Sequence, residues 1–157
     1  MSFALSIPVF KAFFKRPDTR ALVEALKKAK VTAKETRTKV DAYIAPVFED
    51  CGPFPVDPDK LSRRGGPAFV ETPDKLYLCS DEARCNAFYA ACDRAHKEQG
   101  YRLPEGYCPA LVAEHAVTKL ENALLDHAKA CKILPGPIYS LELREKALDL
   151  FLNAPEA

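Results

Sequence analysis

Apolar residues along this chain recur mostly in steps of three and four, the pattern of amphipathic helices. The clearest run lies between residues 18 and 47. There Leu22, Leu26, Ala29, Ala33, Thr36, Val40, Tyr43 and Val47 alternate in steps of four and three. That is the seam of a long helix packed against a partner helix. Asp18 or Thr19 suits its N-cap, and Pro46 is expected to end or kink it. The middle of the seam is only Ala29, Ala33 and Thr36, which permits close approach but buries little area. A shorter apolar stretch over residues 3–16 is read as a brief helix ahead of Pro17.

Residues 80–131 carry the strongest pattern and are read as a central antiparallel helical hairpin. Ser80 suits an N-cap, and Cys85, Phe88, Tyr89, Cys92 and Ala95 then share one helical face. Gly100 supplies the stop, because glycine tolerates the left-handed C′ position. Pro109 fits the first position of the second helix. Ala113, Val117, Leu120, Leu124, Ala128 and Cys131 line the face expected to meet the first arm. A last amphipathic helix is expected over residues 140–152, with Leu141, Leu143, Ala147, Leu148, Phe151 and Leu152 apolar.

Between the long helix and the hairpin the periodicity breaks. Residues 50–67 hold four prolines and three glycines, so a loop is expected, with Phe54 and Val56 as anchors. Residues 68–79 read as a small β-hairpin, with Pro73 at the second position of a type I turn. The expected fold is one mainly α domain over residues 1–157: a bundle of about four helices with one small β-hairpin.

Composition narrows the setting. At 157 residues the chain is long enough to bury a core without staples. No stretch is long and apolar enough to span a bilayer. The apolar start precedes its basic residues, the reverse of a secretory signal, so a cytoplasmic location is expected. The six cysteines at 51, 79, 85, 92, 108 and 131 are then expected to be reduced and mostly packed in the core.

Net charge is +1 and by itself implies no partner. Its distribution is uneven. Between Lys11 and Lys39 ten basic residues face three acidic ones, a local charge of +7, and the remainder of the chain carries −6. Lys27, Lys30, Lys34 and Arg37 recur at helical spacing, so one face of the long helix is basic. Such a face suits phosphates through counterion release, or an acidic surface of a protein partner or second copy. Neither interleaved aromatic residues nor a helix-turn-helix signature accompanies it.

Two further chemistries are testable on the hairpin. All three histidines lie there. Cys92 and His96 share a face, and an antiparallel pairing places them near His115 with Cys108 close to the turn. Sulfur and nitrogen ligands of this kind suit zinc. A second set, Cys79, His127 and Cys131, would lie roughly 18 Å farther along the hairpin. Neither set has a standard ligand spacing, and no Cys-x-x-Cys occurs. Cys108, just before Pro109, is also a candidate reactive thiol, since helix N-termini favour a thiolate. His96 across the hairpin is its candidate base. A di-iron site fails for want of paired Glu-x-x-His motifs. Walker A, dinucleotide-binding, Gly-x-Ser-x-Gly and His-Glu-x-x-His patterns are absent, which argues against common nucleotide enzymes.

The reading expected from sequence is a small cytoplasmic, non-catalytic interaction protein without a cofactor. Its contact element is the long N-terminal helix, used for self-association into a homo-oligomer, for a protein partner or for nucleic acid. The alternative is a zinc-binding or thiol-reactive protein with its site at Cys92, His96, Cys108 and His115.

Overall fold

A computed structural model describes residues 7–51, 69–71, 76–78, 82–104, 107–134 and 141–153. The fold is mainly helical. Described elements are, in chain order, α1 (Ile7–Lys15), α2 (Pro17–Cys51), β1 (Phe69–Glu71), β2 (Leu76–Leu78), α3 (Glu82–Glu98), α4 (Pro109–Ala130) and α5 (Leu141–Leu152). Among the described residues there are five helices rather than about four, because the 3–16 segment contributes α1.

The helix ends follow from local chemistry. Pro17 does not break the chain but opens α2, at the first helical position where its missing N–H costs nothing. The carbonyl of Arg16 accepts from Arg20 N–H at 3.0 Å, so Arg16 holds the N-cap place expected for Asp18 or Thr19. Helix α3 ends at Gly100, whose φ of +87° is the left-handed conformation anticipated for it. Gly100 N–H donates to Lys97 carbonyl at 3.0 Å and Tyr101 N–H to His96 carbonyl at 3.1 Å. That pair of bonds is the Schellman motif. Helix α4 closes in the same way, with Lys132 N–H on Lys129 carbonyl and Ile133 N–H on Ala128 carbonyl, each at 2.9 Å. Here the left-handed residue is Lys132, at φ +59°.

Helix α2 departs from expectation at its end. It continues through Pro46 to Cys51, so the expected 18–47 helix is longer and takes in the first two residues of the expected 50–67 loop, whose remainder lies outside the described residues. The residues after Pro46 explain this: Val47, Phe48 and Cys51 all pack against buried apolar residues. Their burial offsets a mid-helix proline's cost, about 3 kcal/mol. Phe54 and Val56, as well as Ser80, lie outside the described residues. β1 and β2 pair antiparallel, Phe69 opposite Leu78 and Glu71 opposite Leu76. The turn expected at Pro73 lies outside the described residues.

The chain forms two compact units, one from residues 1–33 with 113–157 and one from residues 34–112. In the first, Phe13, Leu26, Leu124, Leu125, Ala128, Ile133, Leu134, Ala147, Leu148 and Phe151 make one buried cluster. The rings of Phe13, Phe14 and Phe151 meet in pairs at 5.5–5.9 Å between centroids, within the range of favourable aromatic packing. The core of the second unit joins Val40 and Ile44 to Cys85, Phe88, Cys92 and Ala110, with Tyr43, Phe48, Cys51 and Cys108 packed against it.

The buried residues of the two arms of the expected central hairpin fall in different cores. The inward face of α3 packs on the second half of α2, whereas Leu124, Leu125 and Ala128 of α4 pack with Leu26 and α5. Only the start of α4, at Ala110, joins the core of α3. Periodicity identified the buried faces but not their partners, and the long seam of α2 supplies surface to both. Along that seam Thr19, Leu26, Ala33 and Val40 are buried at seven-residue intervals.

Candidate functional site

The midsection of α2 is strongly basic. Between residues 27 and 39 the helix carries six cations against one carboxylate, Glu35. Ala33 alone is buried there, and Lys27, Lys28, Lys30, Lys34 and Lys39 are exposed. Lys27, Lys30 and Lys34 share a face with Val31, an apolar side chain 57% exposed. Arg37 continues the face but is half-buried and lies 4.0 Å from Asp41. Among the described residues no carboxylate comes within ion-pair distance of the five lysines.

Two histidines sit in built surroundings. In the second unit His96 is 7% exposed. Its Nδ1 lies 2.6 Å from the Tyr43 hydroxyl, with the rings edge to face. Burial pushes the Tyr43 phenol up and the His96 imidazole down, so both stay neutral, although Asp93 partly opposes the change at His96. Between two neutral groups the phenol is the stronger acid and the imidazole the better base. The Tyr43 O–H therefore donates to Nδ1. Beside this pair an open cleft of ≈370 Å³ is lined by Lys39, Ala42, Tyr43, Gln99 and Tyr101.

In the first unit His127 occupies a denser polar cluster. Its Nε2 shares a 2.8 Å hydrogen bond with the hydroxyl of Thr19, which is wholly buried. Asp18 Oδ1 lies 3.7 Å from the same nitrogen. Asp18 is in turn held by Arg16 through two bonds of 2.9 and 3.1 Å. That hydrogen-bonded guanidinium lowers the Asp18 carboxyl to about 2. Phe13 stacks on the imidazole at 5.4 Å, and Cys131 Sγ lies 3.9 Å from Nδ1 and 4.0 Å from Nε2.

The residues singled out from sequence fall as follows. Cys92 belongs to the second core and Cys108 packs against it, and His96 lies one turn after Cys92 on α3. Burial, with the neighbouring Cys51, Asp93 and Cys108, raises the Cys92 thiol to about 12. His115 is exposed on α4. Among the described residues no three His, Cys, Asp or Glu side chains converge as a metal site would require. Cys108 does hold the N-cap position of α4: its carbonyl accepts from Val112 N–H at 3.1 Å, with Pro109 next. Its side chain is half-buried against the core, and the base expected for it, His96, is bonded to Tyr43. His127 and Cys131 belong to the second metal set expected from sequence, whose third member, Cys79, lies outside the described residues. The roles of Thr19 and Asp18 were missed, because both read as helix caps. The available signal was that Thr19 lies seven residues before Leu26, in phase with the buried seam.

Cys51, Cys85, Cys92, Cys108 and Cys131 are all thiols rather than disulfides. No described helix is long and apolar enough to cross a membrane. No protein-family model, no curated protein and no solved structure matches this chain.

Proposed function

We propose that this is a non-catalytic interaction protein whose contact element is the midsection of α2, and that its partner is a nucleic acid. One observation carries the reading: five exposed lysines within thirteen residues of one helix, with no described carboxylate in ion-pair reach. Unneutralised cations at helical spacing release phosphate counterions on binding, which is a sequence-independent source of affinity. Val31 adds an apolar contact on the same face. The absence of interleaved aromatic residues favours backbone contact over base stacking.

The test is fluorescence anisotropy with a labelled double-stranded oligonucleotide at low salt, comparing the native chain with the Lys27→Glu, Lys30→Glu, Lys34→Glu triple variant. All three positions are exposed, so the fold is expected to survive. The native chain should bind, and charge reversal should weaken it by about tenfold or more. Equal affinity of the two proteins would remove the α2 face as the contact. Native mass spectrometry of the same samples separates the competing occupant: a concentration-dependent dimer abolished by the triple variant would make a second copy the partner.

A further inference from the structure

We propose that the cleft between α2 and the end of α3 binds a nucleoside monophosphate whose base carries an amino group. The cleft lies within the second unit and is separate from the face formed by Lys27, Lys30 and Lys34. Lys39 stands five residues beyond Lys34, about 140° round the helix.

Five residues line this cleft of ≈370 Å³: Lys39, Ala42 and Tyr43 from α2, and Gln99 and Tyr101 from the end of α3. Its volume falls in the range of small-ligand sites. The α3 cap fixes one wall. Gly100 at φ +87°, with Tyr101 N–H on His96 carbonyl, sets Gln99 and Tyr101 on either side of the turn. Three polar groups there are unengaged. Among the described residues the Lys39 ammonium, the Gln99 amide and the Tyr101 hydroxyl have no side-chain hydrogen bond or ion pair. Tyr43 is oriented from behind. Its hydroxyl lies 2.6 Å from Nδ1 of His96, a histidine only 7% exposed. Donation to that nitrogen uses the phenol's one proton and leaves its oxygen as an acceptor. Tyr101 is close enough for its phenol to oppose ionisation of Tyr43, yet no ring contact joins the two.

These groups match a nucleotide part by part. Lys39 supplies a point cation for the phosphate. The Gln99 amide carries the donor and acceptor that meet the ring nitrogen and amino group of adenine. The Tyr43 oxygen adds an acceptor that a base amino group fills, and Tyr101 offers a ring for stacking. Exposed Lys97 and Arg102 flank the turn against one carboxylate, Glu98, so the rim favours an anion. The two cap bonds engage the carbonyls of His96 and Lys97, which would otherwise oppose it. A purely apolar ligand would leave Lys39 and Gln99 unpaired, and a bare phosphate would leave the amide and the rings unused. A free nucleotide and the 5′-phosphorylated end of a strand present the same chemistry.

Adenosine monophosphate titrated into the native isotope-labelled chain, followed by heteronuclear NMR, tests this. Saturable amide shifts are expected at residues 39–43 and 99–101, with adenosine alone and inorganic phosphate alone each binding at least about tenfold more weakly. Lys39→Ala should weaken adenosine monophosphate by about tenfold and leave adenosine unchanged, whereas Gln99→Ala should weaken both by about fivefold. Both positions are exposed, and unchanged shifts away from the cleft report an intact fold. The Lys27→Glu, Lys30→Glu, Lys34→Glu variant should bind the nucleotide as the native chain does, so failure of this site and failure of the α2 face are distinguishable. A 5′-phosphorylated oligonucleotide that displaces the nucleotide at lower concentration than its 5′-hydroxyl counterpart would identify a strand end as the source, and no such preference would identify the free nucleotide. Three results overturn the proposal: no saturable shifts at the cleft up to about 10 mM, phosphate alone binding as tightly as the nucleotide, or nucleotide affinity unaltered in both alanine variants.

Discussion

Lys132 ends α4 in a conformation that suits glycine better than lysine. At φ +59° its Cβ crowds the backbone, yet the two Schellman bonds hold it there. Lys132→Gly removes that strain and is expected to raise stability by about 0.5–1 kcal/mol after the entropy of the unfolded chain is counted. Urea denaturation reads the change, and a destabilised variant would mean that the lysine side chain itself contributes to the cap. The contrast with Gly100 shows what was legible at this scale. A glycine after a periodic run is a stop signal, whereas a lysine in the same role carries none. His96 makes a second residue-scale prediction. Burial holds its native pKa below the ordinary value of 6.5. Below that value the unfolded chain binds a proton that the native chain does not. Stability from neutral His96 is thus complete above 6.5 and falls as pH drops toward the native value. Denaturation midpoints at about pH 7.5 and about pH 5.5 should differ in that sense, and His96→Gln should reduce the difference. Asp18 acts in a separate, lower window: its contribution is present above 3.8 and is lost as pH falls toward about 2. An unchanged pH dependence in His96→Gln would show that the Tyr43–His96 pair is not responsible.

Among the elements, α2 was the most legible. Each of its eight seam positions, from Leu22 to Val47, is buried or half-buried. Its end was not legible, because a proline rule cannot weigh the apolar residues that follow it. Pro46 is exposed, and as a proline it has no N–H to offer the carbonyl of Ala42. Pro46→Ala is expected to stabilise the protein by about 1–3 kcal/mol, read as a higher urea midpoint with unchanged slope. No gain would mean that Val47, Phe48 and Cys51 pack well only in the geometry proline imposes. The surfaces that α3 and α4 meet were not legible for a related reason. The spacing of Cys85, Phe88 and Cys92 specifies a buried stripe, and so does that of Leu124 and Ala128. Neither spacing encodes which surface the stripe meets, and a short link between two helices made a hairpin the natural expectation. Of the metal set built on that expectation, Cys92 packs with Val40 and Ile44 of α2, and His115 is exposed.

For the whole molecule, the uneven charge is the feature on which the proposed function rests. A chain of net charge +1 concentrates +7 between Lys11 and Lys39 and −6 elsewhere. The structure exposes the lysines of this region on α2. This asymmetry was visible in the sequence, as were the basic spacing of Lys27, Lys30, Lys34 and Arg37 and the helix that bears them. The His127 cluster was not, because it joins residues more than a hundred positions apart through a hydroxyl that reads as a helix cap. Fields of one sign accelerate encounter with a polyanion and make its affinity depend on salt. The most direct measurement of that role is the dissociation constant for a labelled duplex across a series of salt concentrations. With four to five phosphates engaged, log affinity should fall against log salt with a slope of about −4, and the Lys27→Glu, Lys30→Glu, Lys34→Glu variant should show a clearly shallower slope. A native slope near zero, or the same slope in both proteins, would contradict the assignment of α2 as the contact element.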